Sequence, residues 1–246
     1  MQKRRPVKKP FLSVAHKKAR LQWCKDHRNW SAKDWEKVIW SDEACVRIGE
    51  DNSPAWVFRT AKEKYISDCL RPVFKGARKS IMVWGCFHGS TKSELHCFPS
   101  GSIDSAVYQK TLAEGLLSLI EDEDELVETM LTPSRLIFQQ DNAPIHNSIS
   151  TRRFLERSNI PPMQWPANSP DLNPIENIWF LMKKAFHSKW VAARREKSRN
   201  LTTQELENLL LDSWRSIDSD QLLRLVWSMP RRVVAVIKAG GGVSKY

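Results

Sequence analysis

The sequence predicts an α/β fold in which a mixed β-sheet carries helices on both faces. Three observations lead there. Strand-like stretches come first and in succession, as antiparallel hairpins do. Farther along, strand and helix patterns alternate, the order that builds parallel crossovers. The chain has 246 residues, 41% hydrophobic, with eleven tryptophans, enough for one sizeable core. No internal repeat or linker-like stretch divides it.

Taken in order, "SVAHKKARLQWCKDH" (13–27) has helical character and a basic face. Ser31 precedes "AKDWEKV", a short helix start with Asp34 in its first turn. "VIWSDEACVRI" (38–48) is β-rich, and alternation puts Val38, Trp40, Asp42, Ala44 and Val46 on one face. "AWVFR" (55–59), "SIMVWGCF" (80–87) and "ELHCF" (94–98) read as further strands, with Gly85 marking a bulge or a close backbone approach. From Ile103 to Ile120 the pattern is helical, with Ile103, Val107, Leu112, Leu116 and Leu119 as its apolar stripe. "RLIFQQ" (135–140) is a short buried strand ending at "DNAP"; a helix at about 149–158 and the strand-like "MQW" (163–165) follow. A helix from Pro174 to about Lys189 puts Ile175, Ile178, Trp179, Met182 and Phe186 on one face. Two or three more helices fill 203–239, before "GGG" at 240–242.

Charge and cysteines narrow the function. The net charge is +11 and the pI about 9.6, an excess that favours a polyanion, nucleic acid above all. Residues 1–28 hold ten Lys/Arg against Asp26, and residues 183–199 hold seven against Glu196, whereas "EDEDE" (121–125) is a solvated acidic run. Five cysteines without CxxC pairing read as free thiols of a reducing compartment. No apolar run approaches the roughly 18 residues of a membrane span, and the start lacks an apolar signal core, so a soluble intracellular protein is expected.

Three carboxylates stand out, each with a plain alternative. Asp42 lies among Val, Ile and Trp, where an ionised carboxylate is expensive unless paired or metal-bound; otherwise it sits on a solvated face or at a strand end. Asp141 opens "DNAP", an ordinary turn. The nearby His146 could be a ligand or a base, although a lone histidine in a turn is more often neither. Glu176 follows three prolines in "WPANSPDLNPIENIW" (165–179). It either closes a capping box, bonding back to the N–H of an Asn173 cap, or is aimed by the stiff loop. Hard divalent cations such as Mg²⁺ take oxygen ligands, and three carboxylates can hold two ions about 3.5–4 Å apart. No Gly-rich phosphate loop, HExxH helix or GxSxG elbow competes for a catalytic role.

The stretches "WSDE" (40–43), "WVFR" (56–59), "IMVWGCF" (81–87), "FQQDNAPIH" (138–146), "WPANSPDLNPIENIW" and the tail "SMPRRVVAVIKAGGGVSKY" (228–246) resemble the catalytic domain of Tc/mariner superfamily transposases. The resemblance runs from about Lys9 to Tyr246, and the 34 residues between Asp141 and Glu176 are the spacing of the Tc-like branch. It implies a ribonuclease H-like fold, a mixed five-stranded sheet flanked by helices, with a DDE triad at Asp42, Asp141 and Glu176. By motif and strand parity Asp42, not Glu43, is the first acid. Asp42 would bridge two Mg²⁺ ions, for which Mn²⁺ substitutes, while Asp141 and Glu176 complete one shell each. The implied reaction nicks double-stranded DNA at transposon ends and transfers the freed 3′-OH into target DNA, typically at a TA step. A nuclear location and a homodimer within a DNA complex follow.

By the same resemblance, these 246 residues are expected to hold the catalytic part without the family's N-terminal helix-turn-helix region. Residues 1–30 are expected to be a basic helical remnant of the linker that grips DNA backbone, and 31–246 the catalytic domain with C-terminal helices. A catalytically idle or host-adopted DNA-binding relic is the rival reading, and a ribonuclease H-like nuclease without joining activity a third.

Overall fold

The computed structural model describes residues 11–48, 80–98, 103–120, 136–160, 162–197 and 199–246. The expected strand at 55–59, the acidic run at 121–125, Cys69 and the residues before Phe11 lie outside them. Two helices come first, each begun by a reciprocal serine cap: α1 (Val14–Asp26) by Ser13 with His16, and α2 (Ala32–Glu36) by Ser31 with Asp34.

The central strand is β1 (Val38–Arg47). It pairs antiparallel with β2 (Ser80–His88), from Trp40↔Phe87 to Arg47↔Ser80. β3 (Thr91–Lys92) and β4 (His96–Phe98) pair with the far edge of β2. On its other side β1 pairs parallel with β5 (Ile137–Gln139), from Val38↔Ile137 to Trp40↔Gln139. This is the mixed five-stranded sheet expected from the sequence.

Strand parity sorts the core into two layers. Val38, Trp40, Ala44 and Val46 face one way with Ile81, Val83 and Phe87, and Ile39 faces the other with Trp84, Cys86 and Phe138. The second layer is closed by α3 (Ser105–Thr111), the π-helical Leu112–Leu117 that continues it, and α4 (Ile149–Arg157). The first is closed by α5 (Ile175–Lys197), α6 (Thr203–Arg215), α7 (Ser219–Val226) and α8 (Met229–Lys238). α1 joins this layer through Trp23 and Cys24 and packs along α8. Among the described residues no helix is long and apolar enough to cross a membrane.

Three expectations need correction. Val107 is 36% exposed, and Tyr108 takes its place in a buried stripe with Leu112, Leu116 and Leu119. "MQW" forms no strand: one bridge joins Pro162 to Phe138, and a proline has no N–H with which to extend the ladder. α5 runs on to Lys197 because "AARREK" consists of good helix formers. Gly85 marks a close approach and not a bulge, since the β1–β2 register is unbroken there. A Cβ on it would lie 3.0 Å from the Trp214 ring and 3.3 Å from Trp179.

A buried ion pair ties the two ends of the described chain to the proline loop. The Arg20 guanidinium donates to both Asp171 oxygens at 2.8 Å, and also to the carbonyls of Gly241, Gly242 and Asn168. Asp171 further accepts the Ser244 N–H, while Arg232 donates to the Asp171 carbonyl. Burial pushes the Asp171 carboxyl up, but the bonds and charge of Arg20 and the Ser244 N–H hold it below the usual range. Gly241 needs to be glycine: its φ is +81°, and a Cβ would lie 1.9 Å from the Lys17 carbonyl oxygen.

Removing one member of a buried pair strands the other's charge, at about 3–5 kcal/mol. Arg20→Met is expected to destabilise the fold by about that much in urea denaturation. A loss under about 1 kcal/mol, typical of a surface pair, would show the clasp to be dispensable.

Candidate active site

Asp42 and Asp141 come abreast through strand pairing. β1 and β5 run parallel and in register up to Trp40↔Gln139, and each chain carries an aspartate two residues later. Asp42 stays in the ladder opposite Gly85, with its Oδ1 accepting the Glu43 N–H at 2.8 Å. Asp141 leaves the sheet in a turn whose Ala143 N–H donates to its Oδ1 at 2.8 Å. The turn expected at "DNAP" is therefore real, and it directs the carboxylate.

Ser41 joins the elements that carry the three acids. Its N–H donates to Gln139 Oε1, and its hydroxyl donates to the Gln139 carbonyl at 2.7 Å. Its own carbonyl accepts the Asn173 side-chain amide at 3.2 Å. Asn173 then caps α5, its Oδ1 accepting the Ile175 N–H at 3.3 Å. The capping box, one of the two readings of Glu176, does not form, because the Asn173 N–H donates to the Pro170 carbonyl instead. Glu176 lines a cleft of about 450 Å³ that Asp42 and Asp141 also line. Its walls include Trp165, which packs against Trp23 and Trp40, and Asn168, whose carbonyl Arg20 holds.

Crowded negative charge sets the electrostatics. Burial first, then the charges of Glu43 and Glu176 and to a lesser extent Asp141, push the Asp42 carboxyl well above its ordinary value. Burial also raises Glu176, against the pull of Lys183. Burial lowers Lys183, while Glu176, Cys45 and Asp42 favour its charged form.

Of three further residues at the site, the sequence reading passed over Ser41 and weighed Glu43 and His146 without giving them a role. Glu43 points to the Ile39 face, where its Oε1 lies 3.2 Å from His146 Nε2, and His146 Nδ1 lies 2.6 Å from Asp141 Oδ1. The imidazole is buried and stacks on Tyr108, with centroids 4.2 Å apart. Burial opposes its charge, but the bonds and charges of Asp141 and Glu43 prevail and raise it to about 9. Asp141 is lowered, first by its bond from His146. The signal was available: parity separates Glu43 from Asp42, and five residues of tight turn bring His146 back to Asp141.

The donor set fits a hard divalent cation. It is all oxygen, it includes a carboxylate that burial and then the neighbouring acids drive toward its protonated form, and Oδ2 of both aspartates receives no hydrogen bond among the described residues. Among the described residues no group of three or more His, Cys, Asp or Glu side chains stands together as a ready-made ion site.

Comparison with known proteins agrees with this architecture. Residues 37–198 match the family model described as DDE superfamily endonuclease. The Tc1 transposase of Caenorhabditis elegans is 33% identical over 99% of this chain and 82% of its own length. The Tcb1 transposase of Caenorhabditis briggsae is 34% identical with the same coverage. Among solved structures, the Mos1 mariner paired-end complex with Mn superposes at a TM-score of 0.71 and 18% identity, covering 100% of this chain and 68% of that one. The catalytic domain of Mos1 superposes at 0.66 and 18%, covering 97% and 100%.

Two outcomes are expected. Ser41→Ala leaves the buried Gln139 carbonyl without its hydroxyl donor and should cost about 1–3 kcal/mol in chemical denaturation; a neutral change would remove Ser41 from the site's support. Because the folded Asp42 holds its proton more tightly than the unfolded chain does, the metal-free fold loses stability as pH rises above the ordinary carboxylate range. Mg²⁺ at about a hundred times its Kd is worth about 2.7 kcal/mol, or roughly 5–10 °C in Tm. That rise is expected to be larger at pH 8 than at pH 5, where protons compete for Asp42. Equal rises by differential scanning fluorimetry would argue against an ion at these carboxylates.

Proposed function

The chain belongs to the DDE superfamily endonucleases, among their Tc1-like transposases, and from that premise we propose that Asp42, Asp141 and Glu176 are the carboxylates with which it cuts and rejoins DNA. One observation carries the assignment: three acids from three separate elements line a single cleft in a chain of net charge +11. The substrate is double-stranded DNA, cut at transposon ends, with the freed 3′-OH joined to target DNA.

When bound, a pair of Mg²⁺ or Mn²⁺ ions supplies the Lewis acidity that stabilises both the attacking and the leaving oxygen of an in-line phosphoryl displacement. Asp42, on the central strand, Asp141 and Glu176 would be the residues that hold them. Mn²⁺ in the Mos1 paired-end complex supports this choice of metal. Phe180, one turn along α5 from Glu176 and 67% exposed, offers a face on which a base can stack. Basic side chains farther along α5 neutralise backbone phosphates. Two copies hold two DNA ends, a reading supported by the paired-end form of Mos1, and a nuclear location belongs to the same proposal.

Supercoiled plasmid with Mg²⁺ or Mn²⁺ tests the reading. Wild type should nick it, and Asp141→Ala and Glu176→Gln should each fall below about one-hundredth of that rate, since even outer partners of a metal cost 10–100-fold. Binding without nicking, with a steep salt dependence, would instead identify a DNA-binding relic. Glu176→Gln should leave the fold nearly unchanged, as Glu176 makes no capping bond.

A further inference from the structure

We propose that Glu43 and His146 form a positioning arm that grips Asp141 by Oδ1 and thereby presents Oδ2 to the metal. The proposal rests on the reading of Asp141 as a metal ligand and adds two residues to it. The geometry is continuous: Glu43 Oε1 to His146 Nε2 is 3.2 Å, and His146 Nδ1 to Asp141 Oδ1 is 2.6 Å. The Ala143 N–H reaches the same oxygen at 2.8 Å, so both protein donors converge on Oδ1.

The arm is itself held. The His146 side chain is 2% exposed and stacks on Tyr108, whose hydroxyl donates to Gln140 at 2.9 Å. Gln140 in turn donates to the His146 carbonyl. Glu43 belongs to β1, the strand that carries Asp42, so through this arm β1 also governs the second acid. Carboxylates that ligate metals are commonly held from behind by hydrogen bonds, and such partners tune metal affinity although they do not touch the ion. Without it, Asp141, whose side chain is 53% exposed, keeps one N–H to hold its orientation.

The probe is Mn²⁺ alone, with binding to the whole 246-residue chain followed by electron paramagnetic resonance of the free ion, and folding checked by near-ultraviolet circular dichroism. His146→Ala should weaken Mn²⁺ binding about tenfold or more, and Glu43→Gln by less. The double variant should bind no more weakly than His146→Ala alone, because Glu43 acts through the imidazole. His146→Asn places an amide nitrogen near the position of Nδ1. It should recover most of the affinity and be indifferent to Glu43→Gln, a rescue that a purely space-filling role would not give. Wild-type affinity in a folded His146→Ala, additive losses in the double variant, or no recovery in His146→Asn would each overturn the arm. Asp141→Ala separates the two levels: if it binds Mn²⁺ as wild type does, the reading of Asp141 as a ligand fails; if it loses binding while His146→Ala does not, only the arm fails.

Discussion

Everything at the cleft depends on how Ser41 spends its three polar groups. A strand residue between two partners would ordinarily give its N–H and C=O to neighbouring backbone. Here the N–H takes the Gln139 side chain, the hydroxyl takes the Gln139 carbonyl and the carbonyl takes the Asn173 side chain. The parallel ladder of β1 and β5 ends one residue earlier, at Trp40↔Gln139, so the side chains take over where backbone pairing stops. Asp42 follows Ser41 directly, Asp141 lies two residues past Gln139, and Glu176 lies three past Asn173. Each acid is thus one to three residues from a bond to the same serine.

The same arrangement accounts for the electrostatic cost of the site. Burial and neighbouring acids disfavour charge on Asp42, yet the fold places Glu43 beside it in sequence and Glu176 across from it. Positive charge arrives from two sides, His146 against Asp141 and Glu43, and Lys183 against Glu176. Asp42 has neither as a hydrogen-bond partner among the described residues. A site built this way favours a dense positive charge among the carboxylates, which is the condition under which a hard divalent ion binds.

Much of this was legible in the sequence. Alternation in "VIWSDEACVRI" assigned Asp42 and Glu43 to opposite faces, and the two-layered core bears that out. The abrupt end of "RLIFQQ" located Asp141 just past a strand, and the apolar stripe of α5 was right at every residue named. What escaped was either non-local or dual in purpose. Ser41 looks like any small strand residue until Gln139 and Asn173, far away in the chain, meet it. His146 looked like an idle turn residue because its value comes from Glu43, 103 positions earlier. Val107 was misplaced because it lies five residues before Leu112, whereas the steps of four from Tyr108 to Leu112 and Leu116 are the ones a helix keeps on one face.

The proline loop shows why a stiff segment alone would not suffice. Prolines restrict φ but leave the loop free to pivot as a body. Three separate contacts remove that freedom. Arg20 and Arg232 hold Asp171 by its side chain and its carbonyl, Asn173 bonds to Ser41, and Trp165 wedges against Trp23 and Trp40. Two of these involve α1 and two involve β1, so the loop is pinned to both the sheet and the basic helix that precedes it in the chain. Glu176 begins the helix that emerges from this loop, and its N–H donates back to the Asn173 carbonyl. Its carboxylate is therefore directed by a backbone with no slack on either side of the cap. Asn173 serves the helix end, which frees Glu176 from that duty and leaves its oxygens for the cleft.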